Sequence, residues 1–270
     1  MAIRPPSSFS VAPGVDGFRS VIVNYFFVRV GRGDWVLIDA GLRFSGTRLI
    51  REAAVRFGSD RPPLAIILTH GHFDHVGALR RLLLRWPEVP VYAHPAELPF
   101  LRAGRAYAPA DPLVGGGIMP LTALMYPRRV GPFPAVRALP LDGSLPELNE
   151  WHWFATPGHT PGHISLLRPK DRVLLAGDAV ITTRQESAWR VVTQRREVRP
   201  PPAYFTPDWQ GAYDSLMHIR ALSPRVLAGG HGMPVGGRFL QEGLEQLVRA
   251  FPTFGLPQRG RYRPLAMHTV

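Results

Sequence analysis

The sequence contains no cysteine, and only one lysine, Lys170, among its 32 basic residues. Without cysteine there are no disulfides and no thiolate metal ligands, so any metal must be held by imidazole and carboxylate donors. No apolar run approaches the length of a membrane span. The opening Met1-Ala2-Ile3-Arg4-Pro5-Pro6 lacks the apolar centre of a signal peptide. A cytoplasmic protein with no membrane span is therefore expected. Acidic residues are few, 20 against 32 basic ones, which leaves a formal net charge of +12. A surplus of that size can serve nucleic acid. Here the arginines are scattered in short pairs such as Arg80-Arg81, Arg128-Arg129 and Arg195-Arg196. Nucleic acid is disfavoured as a partner, and a small-molecule substrate, anionic by preference, is the better use of the charge.

What the chain does have is concentrated in six residues, His70-Gly71-His72-Phe73-Asp74-His75. They follow the apolar run Leu64-Ala65-Ile66-Ile67-Leu68, which reads as a buried strand. The donors thus sit where a strand opens into a loop, the usual place for function in α/β folds. In extended chain, residues two apart point the same way, so His70 and His72 suit one metal ion. Asp74 and His75 diverge from them and suit a second.

Three further donors lie at strand ends flanked by glycine or proline: His159 in Thr156-Pro157-Gly158-His159-Thr160-Pro161-Gly162-His163, Asp178 after Leu174-Leu175-Ala176-Gly177, and His231 after Val226-Leu227-Ala228-Gly229-Gly230. Small and φ-restricted neighbours let the backbone approach a buried centre. His159 would complete the site of His70 and His72. His231 would complete that of Asp74 and His75, and Asp178 would bridge the two. Nitrogen and carboxylate donors with open positions describe a catalytic rather than a structural site.

In this order the motifs resemble those of the metallo-β-lactamase superfamily. Asp39 in Leu37-Ile38-Asp39-Ala40-Gly41 matches the first motif, and His70, His72, Asp74 and His75 match the second. His159, Asp178 and His231 match the third to fifth. The resemblance spans roughly residues 10 to 250. It implies an α/β fold, the four-layer αβ/βα sandwich of the metallo-β-lactamase type. It implies two divalent metal ions, zinc by preference, with iron or manganese as alternatives. Asp39 is expected to orient a ligand, not to be one. The Gly-His-Thr-Pro-Gly-His form is most similar to glyoxalase II-like and lactonase-like hydrolases. The implied activity is a dinuclear metal-dependent hydrolase of an ester, thioester or lactone. It would use a metal-bridging hydroxide, with Asp74 orienting that hydroxide and carrying its proton. Two alternatives stay open: a phosphodiesterase or nuclease on the same centre, and a mononuclear iron, sulfur dioxygenase-like protein. Lack of cysteine excludes the cysteine-ligated β-lactamases, and Asp178 sets the chain apart from the other dinuclear ones.

The expected organisation is one domain over residues 1–251, with inserts near 100–135 and 181–206 and a tail at 252–270. Strands are expected at 20–30, 35–38, 64–68, 89–93, 151–155, 163–167 and 172–176, and helices at 46–57, 76–85, 208–222 and 238–251. The first insert is apolar and rich in Gly and Pro, and offers Met119 and Tyr126 to a substrate pocket as a lid; buried packing or a homo-oligomer contact are the competing uses. The second follows Asp178 and offers Arg184 and Trp189. His94 and His163 are expected to support the structure, not to bind metal.

Overall fold

The computed structural model describes residues 7–268, which divide into two compact units. The N-terminal unit comprises residues 7–107 and 127–153. Its seven-stranded mixed sheet runs in chain order: β1 (Ser8–Ala12), β2 (Val15–Ser20), β3 (Val23–Val30), β4 (Asp34–Ile38), β5 (Ile66–Ile67), β6 (Val91–Ala93) and β7 (Arg137–Ala138). The first four strands pair antiparallel, and β4 to β7 pair parallel. The helices are α1 (Gly46–Phe57), α2 (Phe73–Val76), α3 (Leu79–Arg85) and α4 (Leu98–Leu101). α1 buries Leu49, Ala53 and Phe57, spaced by four, and α3 buries Leu79 and Leu82, spaced by three. They cover a core centred on Trp35, which stacks on Phe57 with ring centroids 4.8 Å apart and meets Trp86 edge-on. The indole N–H of Trp35 donates to the Arg61 carbonyl at 3.1 Å, so burying the ring leaves no polar atom unsatisfied.

The C-terminal unit comprises residues 108–126 and 154–268. It holds α5 (Met119–Thr122), β8 (His152–Ala155, which crosses the unit boundary), β9 (Ile164–Arg168), β10 (Val173–Gly177), α6 (Ala188–Thr193), α7 (Trp209–Ala221), β11 (Val226–Gly229), β12 (Val235–Gly236) and α8 (Gly237–Ala250). The sheet order is β12-β11-β10-β9-β8, with β10 and β11 parallel and the β9–β10 and β11–β12 pairs antiparallel. The side chain of Asp208 caps α7 by accepting from the Gly211 amide at 2.9 Å. α7 buries Trp209, Tyr213 and Leu216, and α8 buries Leu240, Leu244 and Leu247, all in one cluster with Phe251.

Several elements differ from the sequence reading. The strand expected at 20–30 begins at Val23, because a tight turn at Ser20–Ile22 reverses the chain out of β2. The strand expected at 64–68 is regular only at Ile66–Ile67, although Leu64 and Leu68 still donate to Trp35 and Tyr92 carbonyls on the flanking strands. The helix expected at 76–85 is broken into α2 and α3. The Gly77 amide leaves the helix to donate to the Gly41 carbonyl at 2.9 Å. The first insert is not uniformly irregular. Its residues 108–126 form α5 and short 3-10 turns, and pack as a small cluster of Ala110, Val114 and Ala123 with Tyr204 of the second insert. The tail lies along the C-terminal unit, where the Tyr262 hydroxyl donates to the Pro109 carbonyl at 2.8 Å. Among the described residues no helix is long and apolar enough to cross a membrane.

A Cβ on Gly77 would lie 2.4 Å from the Arg43 amide nitrogen and 2.6 Å from the Phe73 carbonyl oxygen. Those neighbours are backbone and cannot swing aside. Gly77→Ala is therefore expected to destabilise the protein by about 1–3 kcal/mol, the usual cost of overpacking. A urea titration followed by tryptophan fluorescence measures this directly; an unchanged midpoint would contradict the packing described.

Candidate metal centre

The N-terminal unit gathers four of the expected donors around Asp39. This carboxylate is fully buried at the end of β4 and sits at φ +59°, a left-handed conformation that Asp tolerates better than most residues. One oxygen accepts the Thr69 amide at 2.8 Å, and the other accepts the Thr69 hydroxyl at 2.8 Å and lies 2.7 Å from His75 Nδ1. A carboxylate can only accept from these partners, so His75 carries its proton on Nδ1 and turns the Nε2 lone pair away. The Thr69 hydroxyl has given its one proton to Asp39. His70 Nδ1, 3.1 Å from the same hydroxyl, must then be the donor, which again leaves Nε2 basic. Asp39 thus sets the tautomer of two histidines, one directly and one through Thr69. The backbone adds to this: the Ala40 amide donates to the His75 carbonyl at 2.6 Å. His72 is extended, opens α2 with its carbonyl, and lies edge-on to His70 with centroids 4.8 Å apart. His75 lies 4.1 Å from His70, and Asp74 is buried in the first turn of α2.

The C-terminal unit gathers the other three. Asp178 Oδ2 lies 3.4 Å from His159 Nε2 and 3.1 Å from His231 Nε2, with all three side chains buried. The Thr206 hydroxyl donates to the Pro202 carbonyl at 2.9 Å, so His159 Nδ1, 3.4 Å from that oxygen, is again the protonated nitrogen. A neutral imidazole nitrogen facing a buried carboxylate is repulsive unless a second proton or a metal cation lies between them. This chemistry fits a metal ion. His163 is held on both nitrogens. Nε2 accepts the Asp178 amide at 2.8 Å, and Nδ1 donates to Thr156 at the head of a hydroxyl chain through Ser165 to the Ala176 carbonyl. Gly232 follows His231 at φ +94°, where a Cβ would meet Thr182 Oγ1 at 2.3 Å. Thr182 in turn donates its amide and hydroxyl to the His231 carbonyl.

The remaining expected residues are spread out. Met119 and Tyr126 are half-buried against the cluster around Tyr204, with the Tyr126 ring 6.2 Å from Phe205. Arg184 lies half-exposed, 4.0 Å from Glu186, beside a cleft of about 240 Å³. Trp189 is exposed on α6. His94 caps a 3-10 turn by accepting the Ala96 amide and meets Trp153 edge-on; burial holds its pKa below the usual value, which keeps that acceptor available.

Sequence reasoning missed Glu97. This carboxylate is fully buried and accepts the Gly71 amide at 2.9 Å and the Tyr107 hydroxyl at 2.5 Å. Tyr107 stacks on Phe100 and meets the His72 ring edge-on. Burial, and then the negative charge of Glu97, push the Tyr107 pKa well above its ordinary value, so the phenol remains a donor. Glu97 therefore fastens the loop between His70 and His72. No local pattern marks it, since its partners lie 26 and 10 residues away.

The chain as a whole is similar to known proteins. The sequence profile of the metallo-beta-lactamase superfamily matches residues 19–231, and the chain belongs to that superfamily. Its two mixed sheets with their helices are the α/β fold that the motifs implied. The chain is 44% identical over 250 residues to the probable metallo-hydrolase YflN of Bacillus subtilis, covering 92% of this chain and 94% of that one. It is 35% identical over 133 residues to a hydroxyacylglutathione hydrolase of Erwinia tasmaniensis, a match limited to 49% of this chain and 38% of the relative. Among solved structures it resembles the B3 metallo-beta-lactamase BLEG-1, with TM-score 0.59 and 26% identity over 82% of this chain and 90% of that one. It also resembles TTHA1623 in a di-iron-bound form, with TM-score 0.51 and 25% identity over 86% and 96%. The chain is accordingly a metallo-hydrolase of this superfamily, with a His/Asp donor set of the kind that binds metal ions.

Glu97→Ala would strand two buried donors, the Gly71 amide and the Tyr107 hydroxyl, at about 1–3 kcal/mol each. The expected result is a marked loss of stability and rapid hydrogen exchange at the Gly71 amide. Glu97→Gln keeps an acceptor oxygen and should retain most of both. Slow Gly71 exchange in the alanine variant would contradict the fastening role.

Proposed function

We propose that the seven donors hold two divalent ions: His70, His72 and His159 one, Asp74, His75 and His231 the other, with Asp178 shared. The observation that carries this reading is that one oxygen, Asp178 Oδ2, lies 3.4 Å from His159 Nε2 and 3.1 Å from His231 Nε2. A carboxylate so placed suits a bridging ligand. Zinc suits these nitrogen and oxygen donors best, with iron or manganese as alternatives. When bound, such ions act as Lewis acids, lowering the pKa of a water from 15.7 to about 7 and polarising the oxygen of the bond to be broken. The chain's own residues do the rest. Asp39 keeps His70 and His75 in the tautomers that ligate. Glu97 holds the His70–His72 loop. Asp74 orients the attacking water and accepts its proton.

The reaction proposed is hydrolysis of an ester, thioester or lactone by a cytoplasmic enzyme. The Gly158-His159-Thr160-Pro161-Gly162-His163 motif and the partial likeness to a hydroxyacylglutathione hydrolase support this bond class over a phosphodiester. Met119, Tyr126, Arg184 and Trp189 are assigned to the substrate side, where the first two offer half-buried apolar surface and Arg184 offers charge.

The test is a panel of lactones, thioesters, aryl esters and bis-nitrophenyl phosphate on protein of defined metal content. Turnover is expected on one of the carboxylic classes. Asp74→Ala should lower kcat/KM by at least about 100-fold, in the range of lost acid–base catalysis, and His94→Ala by far less. Turnover of only the phosphodiester, or equal losses in the two variants at equal metal content and stability, would overturn the reading.

A further inference from the structure

The N-terminal unit carries a cleft of about 710 Å³ that none of the candidate donors lines. Its floor is apolar and recessed, formed by Phe73 and Val76 of α2 and by Phe133. Phe44 and Leu84 stand at its rim, 68% and 77% exposed. Arg43, Arg80, Arg81 and Arg129 also line it, and no acidic side chain does. Among the described residues none of the four forms an ion pair, although eight other arginines each lie within 4.0 Å of a carboxylate. Arg129 alone is tied down, donating to the Gly104 carbonyl.

Four unneutralised guanidinium groups around an apolar floor repel one another, and exposed Phe44 and Leu84 gain nothing from water. One ligand chemistry relieves both. A carboxylate or phosphate head would accept planar, paired hydrogen bonds from arginine. An alkyl chain would cover the floor and rim. The cleft has the volume of a small-molecule site. A polynucleotide presents a row of charges and would set its sugar-phosphate backbone against the apolar floor. A membrane surface is flat, and would leave the recessed Val76 and Phe133 out of reach.

We propose that this cleft binds a single-chain anionic amphiphile, of the class of a long-chain carboxylate. The second half of the first insert supplies one wall of the cleft, through Pro127, Arg129, Val130 and Phe133. The site shares no side chain with the proposed donors, so the metal reading and this one stand or fall separately.

The experiment is calorimetric titration of the full chain with acetate, octanoate, dodecanoate and dodecyltrimethylammonium, below micelle-forming concentrations. One dodecanoate per chain is expected. Affinity should rise with chain length by up to about fourfold per added methylene and fall with salt. Acetate and the cationic amphiphile should not bind. Arg43→Gln with Arg80→Gln should weaken dodecanoate at least tenfold, Phe44→Ser should weaken it less, and Arg43→Lys with Arg80→Lys should restore part of the loss. None of these exposed side chains supports the fold, and unchanged thermal melting and metal content verify that. The proposal is overturned if dodecanoate does not bind, if dodecyltrimethylammonium binds as well, or if the glutamine pair binds like the parent. It is also overturned if a single-stranded oligonucleotide or anionic phosphatidylglycerol vesicles bind at this cleft more tightly than dodecanoate.

Discussion

The N-terminal half of the donor set depends on one buried carboxylate. Asp39 cannot remain charged inside the unit without donors, and the chain supplies three: the Thr69 amide, the Thr69 hydroxyl and His75 Nδ1. Each bond has a second consequence. The amide bond fixes the strand end from which the His70 loop departs. The hydroxyl bond turns the remaining lone pair of Thr69 toward His70. The imidazole bond holds α2 against the end of β4, where the Ala40 amide and the Gly41 carbonyl add backbone bonds to His75 and Gly77. The break between α2 and α3 at Gly77 follows from the same contact, because only a residue without Cβ lets the two backbones approach.

The C-terminal half solves a similar problem with different groups. His163 spends both nitrogens on positioning: it accepts the Asp178 amide and discharges its own proton into hydroxyls ending at the Ala176 carbonyl. Thr206 orients His159, and Thr182 holds the His231 backbone. In both units threonine hydroxyls are the intermediaries. A hydroxyl has one proton to give, so the partner that takes it decides whether the neighbouring imidazole donates, and hence which nitrogen stays basic.

Much of this was legible in the sequence because the chemistry is local. The donors cluster within six residues or sit at the ends of apolar runs, and Asp39 could be separated from the ligands by its motif. The bounds of α1, residues 46–57, follow from its four-residue spacing of apolar side chains. Long-range partners were not legible. Glu97 stands in an apolar stretch and acts on Gly71 and Tyr107, and nothing nearby in sequence marks it. The 100–135 insert read as one segment, yet residues 108–126 pack with Tyr204 while residues 127–133 form a wall of the arginine-lined cleft. Composition gave the surplus of arginine, but the placing of four of them around Phe73, Val76 and Phe133 depends on how residues 42–44, α3 and the insert fold together.

The central claim is that two ions share Asp178. Anomalous diffraction from crystals grown with zinc, measured on either side of the zinc edge, tests it most directly. Two peaks per chain are predicted, one ligated by His70, His72 and His159 and the other by Asp74, His75 and His231, with Asp178 reaching both. A single peak per chain at full zinc loading, or a pair that leaves Asp178 uncoordinated, would contradict the account.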